Sequence, residues 1–189
     1  KARYAPGDRR LEELRPMLAG GRLLDEAIDA SGLTLHNEVQ QTVLKLARKQ
    51  GVKIRQARLK VDDPVDVLKD LGETPKAGEI ACLAAILTRL ESDMAPMQER
   101  ARAWALGDVD TLRKLPHTQD DRIACLAAVS SSERIRGLVL RAEDDWLIEA
   151  EDSLRRNQAT LAVQSMDRLL GDKGILAALR AKGYSVEGP

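Results

Sequence analysis

Apolar and polar positions alternate along most of the chain with a helical period. Asp8 is placed to cap a helix carrying Leu11, Leu14 and Leu18, and Gly20-Gly21 is expected to stop it before a second short helix with Leu24, Ala27 and Ile28. Between His36 and Gln50, Val39, Val43, Leu46 and Ala47 recur on one helix face, and Gly51 suits the left-handed residue just past a helix end. Asp63-Pro64 joins an N-cap to a proline at the first helical position and opens a helix over Val65, Leu68 and Leu71; a loop is expected from Gly72 to Gly78. Glu79 to Leu106 reads as two helices meeting near Asp93–Pro96, the first with Ile80, Leu83, Ala84, Leu87 and Leu90 on one side. Gly107-Asp108 is a stop followed by a cap for a short helix ended by Pro116, and two further helices are expected over 120–130 and 132–155.

Two places break this rhythm. Val52-Lys53-Ile54-Arg55, continued by Leu59-Lys60-Val61, alternates as a strand does, and the basic set Lys53, Arg55, Arg58 and Lys60 suits a sheet edge protected by charge. At the other end, Thr160-Leu161-Ala162-Val163 favours a strand, Gly174 to Lys182 a helix, and Tyr184 to Glu187 a second strand after Gly183. The pattern therefore predicts an α+β, predominantly helical fold. It has a helical region over 8–155, a small sheet, and a C-terminal β-α-β segment over 156–189.

Composition narrows the function classes. Apolar content comes from Leu, Ala, Ile and Val, there is no Phe, and the aromatics are Tyr4, Trp104, Trp146 and Tyr184 alone, a palette that favours helices. With 30 basic and 30 acidic side chains in balance, there is no global field to draw in a phosphate backbone and almost nothing for a base to stack on, so nucleic acid is not expected as a partner. No apolar run reaches the roughly 20 residues that span a bilayer, and no signal peptide with an apolar core is present. Cys82 and Cys125 sit in the same hexapeptide, Ile-Ala-Cys-Leu-Ala-Ala, at 80–85 and again at 123–128. They are open to two readings, a pair of small buried core residues or a disulfide between two helices that implies an oxidising compartment. Neither has a Cys or His at metal-ligand spacing.

Few residues carry obvious chemistry. His36, at a helix start, and His117, after Pro116, are placed as surface or capping residues, each without a ligand partner at i+4. The acidic run Glu143, Asp144, Asp145, Glu149, Glu151 and Asp152 around Trp146 reads as a solvated helix face, since no glycine-turned loop gathers the oxygens for Ca²⁺ or Mg²⁺. Gly171-Asp-Lys-Gly174 lacks the spacing of a phosphate loop.

The tail Gly171-Asp-Lys-Gly-Ile-Leu-Ala-Ala-Leu-Arg-Ala-Lys-Gly-Tyr-Ser-Val resembles the ending of TraB/GumN family proteins, a glycine, a leucine-rich helix and Gly-Tyr-x-Val. Upstream and in the same order, Arg156-Asn157 resembles the family's Arg-Asn pair, Trp104-Ala-Leu-Gly-Asp108 its Trp-x-x-Gly-Asp segment, and Leu14-Arg-Pro16-Met-Leu18 its Leu-x-Pro-x-Leu entry to the helical region. The resemblance implies one TraB/GumN-like domain over 1–189, part of a larger α/β fold whose N-terminal part, with a first Gly-x-x-His, is expected to precede Lys1. In such proteins two Gly-x-x-His motifs and an acidic residue are proposed to hold a divalent metal, leaving an open position where water is activated. With Leu169-Leu170-Gly171 in register, the second of those motifs falls on Ser165-Met-Asp-Arg168, and a permanently cationic Arg168 cannot replace an imidazole.

Together these features point to a divergent family member, expected to act by binding an unidentified protein or peptide in the cell envelope. Arg156, Asn157 and Arg168 are the candidate binding residues, and Cys82 and Cys125 the candidate disulfide. No catalytic residue is assigned. No cofactor or metal is expected in this chain unless further ligands lie upstream. The alternatives are a metal-dependent hydrolase or peptidase with its ligands before Lys1, a structural helical interaction module, and, for localisation, the cytoplasm in place of the periplasm or exterior.

Overall fold

The computed structural model describes residues 9–34, 38–57, 59–92, 94–115, 120–169 and 174–187. Within them local start and stop chemistry sets most helix boundaries. Helix α1 (Arg10–Glu13) ends at Leu14, and α2 (Pro16–Ala30) begins with proline at its first position, where the missing N–H is no loss. Arg15, the residue before proline, is extended at ψ 146°, so the break falls there. Gly20-Gly21, expected to stop the helix, lies inside α2. The reason is tertiary: a Cβ on Gly20 would stand 2.8 Å from Ile86 Cδ1 and 3.2 Å from Leu83 Cδ1, so glycine lets another helix come close.

Helix α3 (Glu38–Lys49) and α4 (Pro64–Gly72) come next; α4 is capped by Asp63, whose carboxylate accepts the Asp66 N–H at 3.1 Å. Helices α5 (Lys76–Ser92) and α6 (Met94–Leu106) flank Asp93, and α5 takes in the stretch through Gly78 where a loop is expected from sequence. Helix α7 (Val109–Lys114) is capped by Asp108, which accepts from Thr111 N at 3.0 Å and Thr111 Oγ1 at 2.7 Å. Two donors hold that carboxyl below its usual value, the Thr111 hydroxyl first and its backbone N–H next. Helices α8 (Asp120–Val129), α9 (Glu133–Arg156), α10 (Met166–Leu169) and α11 (Ile175–Ala181) complete the described elements.

The chain divides into two compact units. The first comprises Lys1–His36 and Val61–Gly137. Its centre is α5, flanked by α2 and α8. Arg15 meets Glu79 near the starts of α2 and α5, Gly20 faces Leu83 and Ile86, and the Ser31 carbonyl past α2 accepts from Gln98 in α6 at 2.9 Å, so α2 and α5 run the same way. Helix α8 runs opposite to α5: Gly78 faces Ala128, Cys82 is bonded to Cys125, and Arg89 pairs with Asp121 at 2.6 Å. The disulfide brings the two Cα atoms to 4.4 Å, and a Cβ on Gly78 would lie 3.2 Å from Ala128 Cα, so α5 and α8 touch backbone to backbone. Leu11, Leu23, Ala27, Cys82, Ile86 and Leu90 form the buried cluster, with Met17, Leu24, Leu87, Met94 and Cys125 packed on it.

The second unit comprises Asn37–Lys60 and Leu138–Pro189. Helix α9 begins in the first unit and continues in this one. Burial here is sparse: α3 and α11 have no buried residue, while Leu46, Leu140, Ile148 and Leu161 stay more than half exposed.

The expected sheet is absent among the described residues. Among the described residues there is no strand; 52–57, 59–61, 160–163 and 184–187 carry no regular structure, and the described part of the C-terminal segment holds two short helices rather than a β-α-β unit. The fold is helical, not α+β. Alternation of side chains marks a chain able to be a strand, but a ladder needs a second backbone about 4.8 Å away to take its N–H and C=O groups, and among the described residues no such ladder forms. Lys53, Arg55 and Lys60 therefore protect no sheet edge among the described residues.

Candidate functional site

Among the described residues of the second unit, a network of ion pairs lies on the C-terminal half of α9. Glu149 and Asp152 are three residues apart and share a face, and Arg55, reaching in from the extended 52–57 segment, donates through Nη1 to Glu149 Oε2 at 3.0 Å and Asp152 Oδ2 at 2.8 Å. The other Asp152 oxygen takes Arg156 Nε at 2.8 Å, four residues on. About 100° around the helix, Glu151 accepts from Lys182 Nζ, just past the end of α11, at 2.7 Å. Glu149, Glu151 and Asp152 thus form an ion-pair ladder that ties Arg55 and Lys182 to α9. Arg155 and Arg156 in the last turn also oppose the negative end of the helix dipole. Arg156 is held through one edge yet remains 67% exposed, so its guanidinium is presented outward.

Asn157 finishes the helix. Its backbone N–H and its side-chain Nδ2 both donate to the Ser153 carbonyl, at 3.1 and 2.8 Å, and Thr160 Oγ1 adds a third donor at 3.1 Å. This side-chain capping replaces the left-handed turn that asparagine also permits, since no non-glycine among the described residues has positive φ.

The other landmarks on which the family resemblance rests prove to be helix punctuation as well. Leu14-Arg-Pro16 is the break that starts α2. At Trp104 to Asp108, Gly107 (φ 69°) closes α6, with Gly107 N donating to Trp104 O and Asp108 N to Ala103 O, and Asp108 then caps α7. In the tail, Gly183 (φ 92°) does the same for α11, with Gly183 N donating to Arg180 O and Tyr184 N to Leu179 O. Tryptophan, tyrosine and arginine beside these turns are read more readily than the turns themselves, but the turn chemistry makes the glycines and Asp108 necessary.

Arg168 lies in α10, beyond a turn in which Arg168 and Leu169 both donate to the Ser165 carbonyl at 3.1 Å. No contact brings it to Arg156 or Asn157, so the three candidates do not form one described cluster. Asp8, His36, Arg58, His117 and the Gly171-Asp-Lys173 part of the glycine-flanked segment lie outside the described residues; Gly174 is the residue before α11.

Sequence reasoning missed the strongest buried polar node, which lies in the first unit. Glu79, 2% exposed, pairs with Arg15 Nη2, and the same guanidinium donates to the carbonyls of Leu71 (3.3 Å), Gly72 and Thr74 (3.0 Å). One arginine thus neutralises a buried acid in α5 and adds a donor to carbonyls at and just past the end of α4. Its position inside the Leu-x-Pro landmark was the only signal. A second node is Arg134, which bridges Asp66 (3.0 Å) and Asp70 (3.2 Å), while Ser132 Oγ donates to Asp70 at 2.6 Å. The serine hydroxyl first, then the arginine, hold the Asp70 carboxyl below its usual value.

The model of the TraB/PrgY/gumN family matches residues 3–188. The chain belongs to that family. No curated protein and no solved structure matches it. For a TraB/PrgY/gumN protein expected to hold a divalent metal, the described residues are a poor fit. Arg168 carries only donors where an imidazole is expected, the α9 carboxylates Glu149, Glu151 and Asp152 are engaged by cations, and no three His, Cys, Asp or Glu among the described residues gather at a metal-holding separation. No helix among the described residues is long and apolar enough to cross a membrane.

Proposed function

We propose that this TraB/PrgY/gumN family member is a binding protein of the cell envelope that engages a protein or peptide partner without metal-dependent hydrolysis. The observation that carries the reading is the α9 terminus: Arg156 is oriented by Asp152 and backed by the Asn157 cap, yet left open to a carboxylate or another acceptor. A planar guanidinium oriented in this way recognises such a group through two parallel hydrogen bonds. Arg168, in the position the resemblance gives to a histidine, supports loss of the metal chemistry. The Cys82–Cys125 bond supports an oxidising compartment such as the periplasm.

Metal analysis of the full-length protein, purified without chelator, tests this reading. Substoichiometric divalent metal and no peptide hydrolysis are expected. A stoichiometric ion whose removal abolishes hydrolysis overturns it in favour of the metal-dependent peptidase. Intact mass with and without reductant, after alkylation of protein taken from its native compartment, tests the envelope assignment; free thiols at Cys82 and Cys125 count against it.

A further inference from the structure

The charge balance of the whole chain conceals a local imbalance. Between Glu38 and Lys60 the only acid is Glu38, against Lys45, Arg48, Lys49, Lys53, Arg55, Arg58 and Lys60. Helix α3 concentrates this. At 100° per residue, Val39, Val43, Leu46 and Ala47 fall within one arc, while Gln41, Lys45, Arg48 and Lys49 lie around the rest of the helix. Such an apolar stripe ordinarily lies against a core, but α3 has no buried residue: Val39 is 44% and Leu46 54% exposed, while Val43 and Ala47 are half-buried. Lys45, Arg48, Lys49 and Lys53 stand clear of the core too, and Val52, 59% exposed, continues the apolar character past the Gly51 turn.

We propose that α3, with the start of the segment after it, is a docking helix for anionic lipid, lying in the headgroup plane with its Val39–Val43–Leu46 stripe against the acyl boundary. Charge complementarity selects this occupant. The cations are repeated along a helix and into the chain beyond it, matching a diffuse sheet of phosphates. Among the acids of the same unit, Glu149, Glu151 and Asp152 are held by Arg55, Lys182 and Arg156, while Lys45, Arg48 and Lys49 of α3 stay exposed. A shallow hollow lined by Glu38, Gln41, Thr42, Leu44, Lys45 and Arg48 adds hydrogen-bonding side chains beside two of these cations, with Glu38 the one acid among them. The stripe is short-chain aliphatic, without the aromatic anchors that dominate protein–protein hot spots. The inference concerns a different surface from the α9 terminus and does not depend on the binding role proposed for it.

The test is co-sedimentation of the full chain with phosphatidylcholine vesicles, with and without phosphatidylglycerol. Binding to the phosphatidylglycerol vesicles alone is expected. Neutralising Lys45→Gln, Arg48→Gln and Lys49→Gln together is expected to weaken it by on the order of a hundredfold, about fivefold per charge. Val39→Ser with Leu46→Ser, which leaves every charge in place, is expected to weaken it by at least about tenfold. Circular dichroism of each variant confirms that the fold survives. Absence of binding to the phosphatidylglycerol vesicles overturns the proposal. So does binding that the serine pair leaves unchanged, which marks adhesion through charge alone, or capture of an acidic protein by α3 in the absence of any lipid affinity.

Discussion

Arg15 shows what one side chain does when it lies where three elements meet. It joins the start of α2 to the end of α4 and to Glu79 in α5. Removing one partner of a buried pair leaves the other charged and unsolvated, a loss of about 3–5 kcal/mol when both are buried. Because Arg15 is itself 39% exposed, Arg15→Ala is expected to cost about 2–3 kcal/mol in denaturant unfolding. Adding Glu79→Gln to that variant recovers part of the loss; no recovery would show that the carbonyl contacts matter more than the ion pair. Asp70 gives a pH signature. Its folded pKa lies below the unfolded value near about 4, so its stabilisation is complete above about pH 4 and disappears as pH falls through the lowered folded value. Ser132→Ala removes the largest cause and is expected to flatten the acid limb of stability against pH while leaving its slope near neutrality unchanged. At this scale little was legible in sequence: nothing in the spacing of Arg15, Glu79, Ser132 and Asp70 announces that they meet, because each partner arrives from a separate part of the chain.

Among the elements, the decisive one is the α5–α8 pair. The repeated Ile-Ala-Cys-Leu-Ala-Ala places a cysteine near the middle of each helix, and with the helices antiparallel the two sulfurs meet. Closing a loop between residues separated by 43 positions restricts the unfolded chain enough to stabilise the fold by about 4 kcal/mol in the chain-entropy model. Cys82→Ala with Cys125→Ala is therefore expected to lower unfolding free energy by about 3–4 kcal/mol; a change below about 1 kcal/mol would show that helix packing alone holds α8 in place. Gly78→Leu pushes a Cβ to 3.1–3.2 Å from Ala128 and forces the helices apart against that bond, so a loss of about 2 kcal/mol is expected by the same measurement. Helix starts and stops were the legible part of this scale. Asp63-Pro64, Gly51 and Gly107-Asp108 act where the sequence places them, because capping is settled within a few residues. Gly20-Gly21 misleads for the opposite reason: a glycine that ends a helix and one that admits a neighbouring helix look alike until Leu83 and Ile86 are in place.

The whole molecule is uneven in how firmly it is held. The first unit contains the buried cluster, the disulfide and the Arg15 node, whereas the second leans on surface ion pairs such as Arg55–Glu149 and Lys182–Glu151, each worth at most about 1 kcal/mol. Amide hydrogen exchange is expected to reflect this, with the slowest amides in α2, α5 and α8 and exchange faster by orders of magnitude in α3 and α11. Uniform protection would contradict the division. By itself the sequence determined the helical character, the caps, the charge ladder's ingredients and the family, all of which depend on residues close together or on a pattern in order. Whether 52–61, 160–163 and 184–187 became strands, whether the cysteines met, and which face of each helix was covered were decided by tertiary structure. Alternation shows that a segment can pair, and an apolar stripe that a helix can be covered; the partner comes from elsewhere in the folded chain or, for α3, from a surface outside it.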